Sequence, residues 1–233
     1  MALRYITAET DRRMTCLVIG RAGIGKTSLL RTIPESEEVF TISAEAGLLC
    51  VRDMVESGRV QGAEVTGTAD VIECLDNLRF NPKWRDRYTW VFIDSLTEIS
   101  SVCYEEMKAR YPDRRDSFNM WDAYAGIMNR IIKSFRDLKP YNVVFTCLAA
   151  MEFDDGKKPI VSPDVQLKSL KQRLTSFFDE VFYMTDVPAE GGEMRRMFIT
   201  QPFLAFPGKD RSGRLELHEE PDLARVKAKI LGA

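Results

Sequence analysis

Apolar positions along the chain follow two periods. Residues 14–19, 39–43, 90–93 and 142–148 are short, nearly continuous apolar runs, the pattern of strands buried on both faces of a sheet. Between them the spacing changes. Val71, Leu75 and Leu78 predict a helix over residues 68–80, closed by Asn81-Pro82. Ser95-Leu96-Thr97-Glu98 is a capping signature for a helix running to about Arg110. Trp121, Tyr124, Met128, Ile131, Phe135 and Leu138 form the clearest apolar stripe, ended by Lys139-Pro140. Shorter helices are expected at 27–33, before Pro34, at 166–178 and at 222–231. From residue 180 the pattern favours strands, at 181–184 and 194–200, around a Gly191-Gly192 turn. Alternating strands and helices imply an α/β protein: a mainly parallel sheet flanked by helices, with a small antiparallel C-terminal extension. The 233 residues suit a single domain over 1–233.

Composition narrows the class rather than the function. Hydrophobic residues make up 45% and charged residues 29%, ordinary for a globular domain with a sizeable core. The formal charge of −2 excludes a global basic excess, so any nucleic-acid contact must come from local clusters. The five cysteines, at 16, 50, 74, 103 and 147, form no C-x-x-C pair and suggest neither a zinc site nor a disulfide framework. The N-terminus lacks the order of a signal peptide, and no apolar run approaches the roughly 18 residues of a membrane span. A cytoplasmic protein without membrane contact is expected.

The strongest chemical signal is Gly20-Arg21-Ala22-Gly23-Ile24-Gly25-Lys26-Thr27, followed by Ser28, between a predicted strand and a predicted helix. It satisfies the phosphate-loop pattern. Such a loop answers the charge of a triphosphate with inward backbone N–H groups, and its glycines permit that backbone path. Lys26 would reach the β- and γ-phosphates, and Thr27 would place its hydroxyl on Mg²⁺. A second acidic group is needed near the metal, and Asp94, ending the strand Trp90-Val91-Phe92-Ile93, supplies it. ATP and Mg²⁺ are the expected ligands. Hydrolysis also needs a group to position or activate water. Glu98 is the carboxylate nearest to Asp94 in sequence, but its spacing suits the helix cap. Glu45, after the strand 39–43, is the better candidate, because a parallel neighbour delivers its C-terminal end to the edge that carries the phosphate loop.

A glutamate after the second strand, Asp-Ser after the third, and no glutamate beside that aspartate resemble the RecA-like ATPases. The segments 20–27, 43–47 and 91–98, the Trp121 helix and Lys209-Asp210-Arg211 are similar to those of compact, phage-encoded, core-only members that act in single-strand DNA recombination and annealing. Taken by themselves, Lys209 and Arg211 suit the solvated tip of a turn. The resemblance implies instead that they reach a neighbouring subunit's ATP site, as an arginine finger does. It further implies self-association into a ring or filament, single-stranded DNA as partner, an accessory single-strand DNA-binding protein, and a bacterial host cytoplasm. Two loops carry cations that, next to aromatics, suit such a strand: residues 110–119, with Arg110, Arg114 and Arg115 near Tyr111 and Phe118, and residues 150–168, with Lys157, Lys158 and Lys168. Asp113, Asp116, Asp154 and Asp155 dilute their charge, so a plain solvated surface is the competing reading. The chain departs from the resemblance after residues 142–148, where Cys147-Leu148-Ala149-Ala150-Met151 offers no polar γ-phosphate sensor before Glu152. His218 reads as a solvated residue of the charged tail. A ring-forming helicase or translocase would share every ATP-site residue, and a nucleotide-dependent switch for a protein partner would need no DNA.

Overall fold

The computed structural model describes residues 13–44, 47–153, 156–189 and 191–232. The apolar runs become the strands of one sheet. In chain order the strands are β1 (Thr15–Gly20), β2 (Val39–Ser43), β3 (Val60–Glu64), β4 (Trp90–Asp94), β5 (Asn142–Phe153), β6 (Pro159–Pro163), β7 (Glu180–Pro188), β8 (Met194–Ile199), β9 (Lys209–Asp210) and β10 (His218–Glu219). Their order is β10-β8-β7-β1-β5-β4-β2-β3. The pairs from β3 to β7 along this path are parallel, while β8, β10, β6 and β9 join antiparallel. The mainly parallel sheet with an antiparallel C-terminal extension is the architecture the sequence implies.

Continuous apolar strands can bury both faces, and each face here has its own core. Leu17, Ile19, Val91, Ile93, Val143 and Phe145 pack on one side, beneath α2 (Thr68–Phe80), α4 (Leu96–Arg110) and α5 (Ser117–Arg136). Tyr124, Met128, Ile131 and Phe135, four residues of the predicted stripe, are the buried seam of α5. Cys16, Val18, Trp90, Phe92, Val144 and Phe182 point the other way, toward Leu29, Leu30, α1 (Arg52–Glu56) and α7 (Leu223–Leu231). The period-2 alternation of strand side chains divides adjacent residues between the two cores.

Several elements differ from the sequence expectation. Residues 27–33 form a 3₁₀ helix, Thr27–Thr32, rather than an α-helix. Pro34 drives Ile33 into an extended conformation, and the six residues left over wind tightly. The strands β3 and β6 and the helix α3 (Pro82–Arg87) have no counterpart in the predicted pattern. β5 runs five residues beyond Leu148 and turns back as a hairpin with β6. The helix expected over 166–178 is shorter, α6 (Lys168–Leu174), followed by a single 3₁₀ turn. Lys209 and Asp210 are not a free turn tip. They form β9, which pairs with Val181 and Glu180 at the start of β7.

Candidate nucleotide-binding site

At the C-terminal edge of the parallel strands, the loop after β1 opens into a cleft of about 450 Å³. That volume lies within the range of small-ligand pockets. Ala22, Gly23, Gly25, Lys26, Thr27 and Ser28 form its floor, with Asp94, Glu98, Leu148 and Cys50 around them. Gly23 and Gly25 have φ of +72° and +98°, values that a residue with a side chain rarely adopts, so the loop depends on glycine there. Lys26 is buried, and its Nζ donates to the carbonyl oxygens of Gly20 and Arg21, each at 3.0 Å. Ile24 turns into the core instead of the cleft. Arg21 points outward and pairs with Asp186 of β7 at 2.7 Å.

Asp94, at the end of β4, meets the loop directly. Thr27 Oγ1 donates to Asp94 Oδ2 at 2.6 Å. Thr146 Oγ1, fully buried on β5, donates to the other oxygen, Asp94 Oδ1, at 2.5 Å. The carboxylate is thus fixed at both oxygens, one by the loop and one by the strand lying between β1 and β4. A threonine hydroxyl and a carboxylate at hydrogen-bond distance are hard oxygen donors, the set that holds Mg²⁺ together with phosphate oxygens and water. The residues present fit that ion.

The carboxylates around the cleft are placed as follows. Glu45 lies outside the described residues. The Glu98 backbone N–H donates to Ser95 Oγ at 3.4 Å, which is the forward half of the expected cap. Its carboxylate has no hydrogen-bond or ion-pair partner among the described residues and lines the cleft. Glu98 is therefore the carboxylate that, with Asp94, faces the cleft among the described residues. Thr146 is the residue that sequence reasoning missed, because a threonine within an apolar strand reads as a β-branched filler. Thr97 also binds β5, its Oγ1 accepting from Leu148 N at 2.9 Å. Glu152, the first acidic residue after the expected sensor position, pairs with Lys171 at 2.9 Å, and that contact holds its carboxyl below the usual range.

A model of the AAA domain matches residues 12–212. The chain belongs to the AAA domain family. It is a P-loop ATPase domain. No curated protein matches the chain. Among solved structures it is similar to the flagellar accessory protein FlaH from Methanocaldococcus jannaschii, at 11% identity and a TM-score of 0.45, covering 88% of this chain and 83% of that one.

The remaining candidate residues lie away from this cleft. Lys209 Nζ donates to Phe178 O at 2.5 Å, and Arg211 pairs with Asp179 at 2.5 Å. Burial, with the charge of Arg211 beside it, lowers the Lys209 ammonium from its ordinary range. Because β9 pairs with the first residues of β7, while Gly20 lies opposite Met184, both cations sit toward the other end of the strands from their own phosphate loop. Arg110, Arg114 and Arg115 are exposed; Arg115 is paired with Asp113 at 2.6 Å, and Arg110 stacks over Tyr111. Lys157, Lys158 and Lys168 are exposed around the β5–β6 hairpin. No helix among the described residues is long and apolar enough to cross a membrane.

Proposed function

We propose that this domain binds and hydrolyses Mg²⁺-ATP in an oligomer that engages single-stranded DNA, in phage-type strand recombination or annealing. The observation that carries the nucleotide part is the 2.6 Å contact of Thr27 Oγ1 with Asp94 Oδ2 at the foot of a complete phosphate loop. Lys26 would bind the β- and γ-phosphates, Thr27 and Asp94 would hold the cation, and Glu45 or Glu98 would position the attacking water. The bound cation would neutralise phosphate charge.

Support for DNA comes from β5. The same strand fixes Asp94 through Thr146, walls the cleft with Leu148, and then carries Met151 and Phe153 into solvent, 68% and 69% exposed. Large apolar side chains on a hairpin ringed by Lys157, Lys158 and Lys168 suit stacked bases and a phosphate backbone. The segment 110–118 is the weaker surface, because Asp113 already neutralises Arg115, although Phe118 is 79% exposed. Support for a site completed across subunits is the distance of Lys209 and Arg211 from their own loop. About three strand residues, roughly 10 Å, separate the level of β9 from that of Gly20. A neighbouring subunit would receive these cations, as a finger in trans.

The test is phosphate release from ATP, with and without single-stranded DNA, over a range of protein concentrations. DNA stimulation and a rate per subunit that rises with concentration are expected. A rate indifferent to DNA would move the domain to the class of nucleotide-dependent protein switches. ATP-driven separation of duplex strands would make it a helicase motor.

A further inference from the structure

Two arginines stand at the rim of the phosphate loop, beside β7 and β8, and the strand order gives that side a meaning. Asp94 lies on β4, to one side of β1, whereas β7 and β8 lie to the other. Thr27 and Asp94 would hold the cation, which would neutralise charge at the far end of the triphosphate, so they mark the metal end of the site. A triphosphate lying across the loop therefore directs its nucleoside end toward β7 and β8.

Asp186 of β7 is in register with Arg196 of β8, but its carboxylate is engaged by Arg21 at 2.7 Å. Adjacent strand residues face opposite ways, and Arg195 turns to Glu220, also at 2.7 Å. Arg196 has no hydrogen-bond or ion-pair partner among the described residues. Its guanidinium nevertheless lies directly against the loop. A methyl group added to Gly25 would fall 2.6 Å from Arg196 Nη1 and 3.2 Å from its Cζ. A permanently charged group with five donors is thus held beside the glycine that precedes Lys26, with its hydrogen-bonding capacity unfilled.

We infer that Arg196 is a nucleotide-binding residue supplied by the same subunit, donating to the α-phosphate at the nucleoside end of the site. This rests on the reading of the loop as an ATP site. An α-phosphate contact is common to ATP and ADP, so Arg196 holds the nucleotide both before and after the γ-phosphate leaves, whereas a γ-phosphate contact would be lost.

The test is calorimetric measurement of ATP and ADP affinity, with Mg²⁺, for the wild type, Arg196→Met, Arg196→Lys and Lys26→Ala. Methionine keeps an unbranched stem beside Gly25 and removes the charge. Both nucleotides are expected to bind about tenfold more weakly to Arg196→Met, in parallel, with much of the loss recovered in Arg196→Lys. The melting temperature without nucleotide should stay at the wild-type value, since the side chain is exposed and has no hydrogen-bond or ion-pair partner among the described residues. Unchanged affinities in Arg196→Met would overturn the inference, and so would a loss confined to ATP. If Lys26→Ala loses binding while Arg196→Met does not, the loop reading stands and only this inference fails. A wild type that binds neither nucleotide overturns both.

Discussion

Asp94 shows how a single side chain organises the site. Both of its oxygens accept a hydroxyl, from Thr27 at 2.6 Å and from Thr146 at 2.5 Å, so the protein itself orients the carboxylate. Thr146→Val keeps the β-branched shape and removes one donor. A net hydrogen bond to a charged group contributes about 1.5–3 kcal/mol, so the Mg²⁺ concentration needed for half-maximal ATP binding should rise about tenfold or more. A Mg²⁺ titration of ATP binding checks this, and an unchanged midpoint would reduce Thr146 to packing. At this scale the loop, Thr27 and Asp94 were legible because their chemistry demands fixed residue types at fixed spacing. Thr146 was not, since one hydroxyl in an apolar run carries no signal until the neighbouring strand is known. Glu98 is hard to read for a related reason: its spacing satisfies a cap that uses only its backbone N–H, while the residue also lines the cleft.

Among the elements, the β5–β6 hairpin carries the most consequence. Its β6 strand has proline at both ends, which suits an edge but hides it from pattern reading. β3 was hidden differently. Of Val60-Gln61-Gly62-Ala63-Glu64 only Val60 is buried, so no alternation announces a strand, and backbone pairing with β2 recruits it. The helices α2, α4 and α5 were legible because each buries a stripe at helical spacing against one large core. For the hairpin, Phe153→Ala combined with Met151→Ala should weaken single-stranded DNA binding by at least tenfold, since stacking contributes about 1–3 kcal/mol per base. Fluorescence anisotropy with a labelled oligonucleotide measures it. ATP affinity serves as the control that the cleft is intact. Equal DNA binding by the double variant would remove the hairpin from the proposed interface.

For the whole molecule, the alternation of elements made the α/β class legible, but the strand order was not. The insertion of β5 between β1 and β4 is a matter of crossover connections, and it is what brings Thr146 and Leu148 to the nucleotide cleft. Global stability carries a second electrostatic signature, away from that cleft. Glu180, at the start of β7, is almost wholly buried, with Oε2 lacking a partner among the described residues and Asp210 and Asp179 nearby. Burial first, and the Asp210 charge second, push its carboxyl up to about 8. The folded chain therefore keeps a proton that the unfolded chain releases in the ordinary carboxylate range. Stability from this group is present at low pH and lost as the pH rises through about 8. Melting temperatures measured between about pH 5 and 8.5 should fall less steeply for Glu180→Gln than for the wild type. Identical slopes would mean that Glu180 ionises as it does in the unfolded chain.

On the proposed function, the loop, Thr27 and Asp94 form a working Mg²⁺-ATP site. The most direct measurement is ATP binding and phosphate release by the wild type with Mg²⁺, by the wild type with Mg²⁺ chelated, and by Lys26→Ala with Mg²⁺. Tight binding and turnover are predicted for the first, with turnover lost on chelation and tight binding lost in Lys26→Ala. Lys26→Ala binding ATP as tightly as the wild type, or turnover that continues without the cation, would contradict the account.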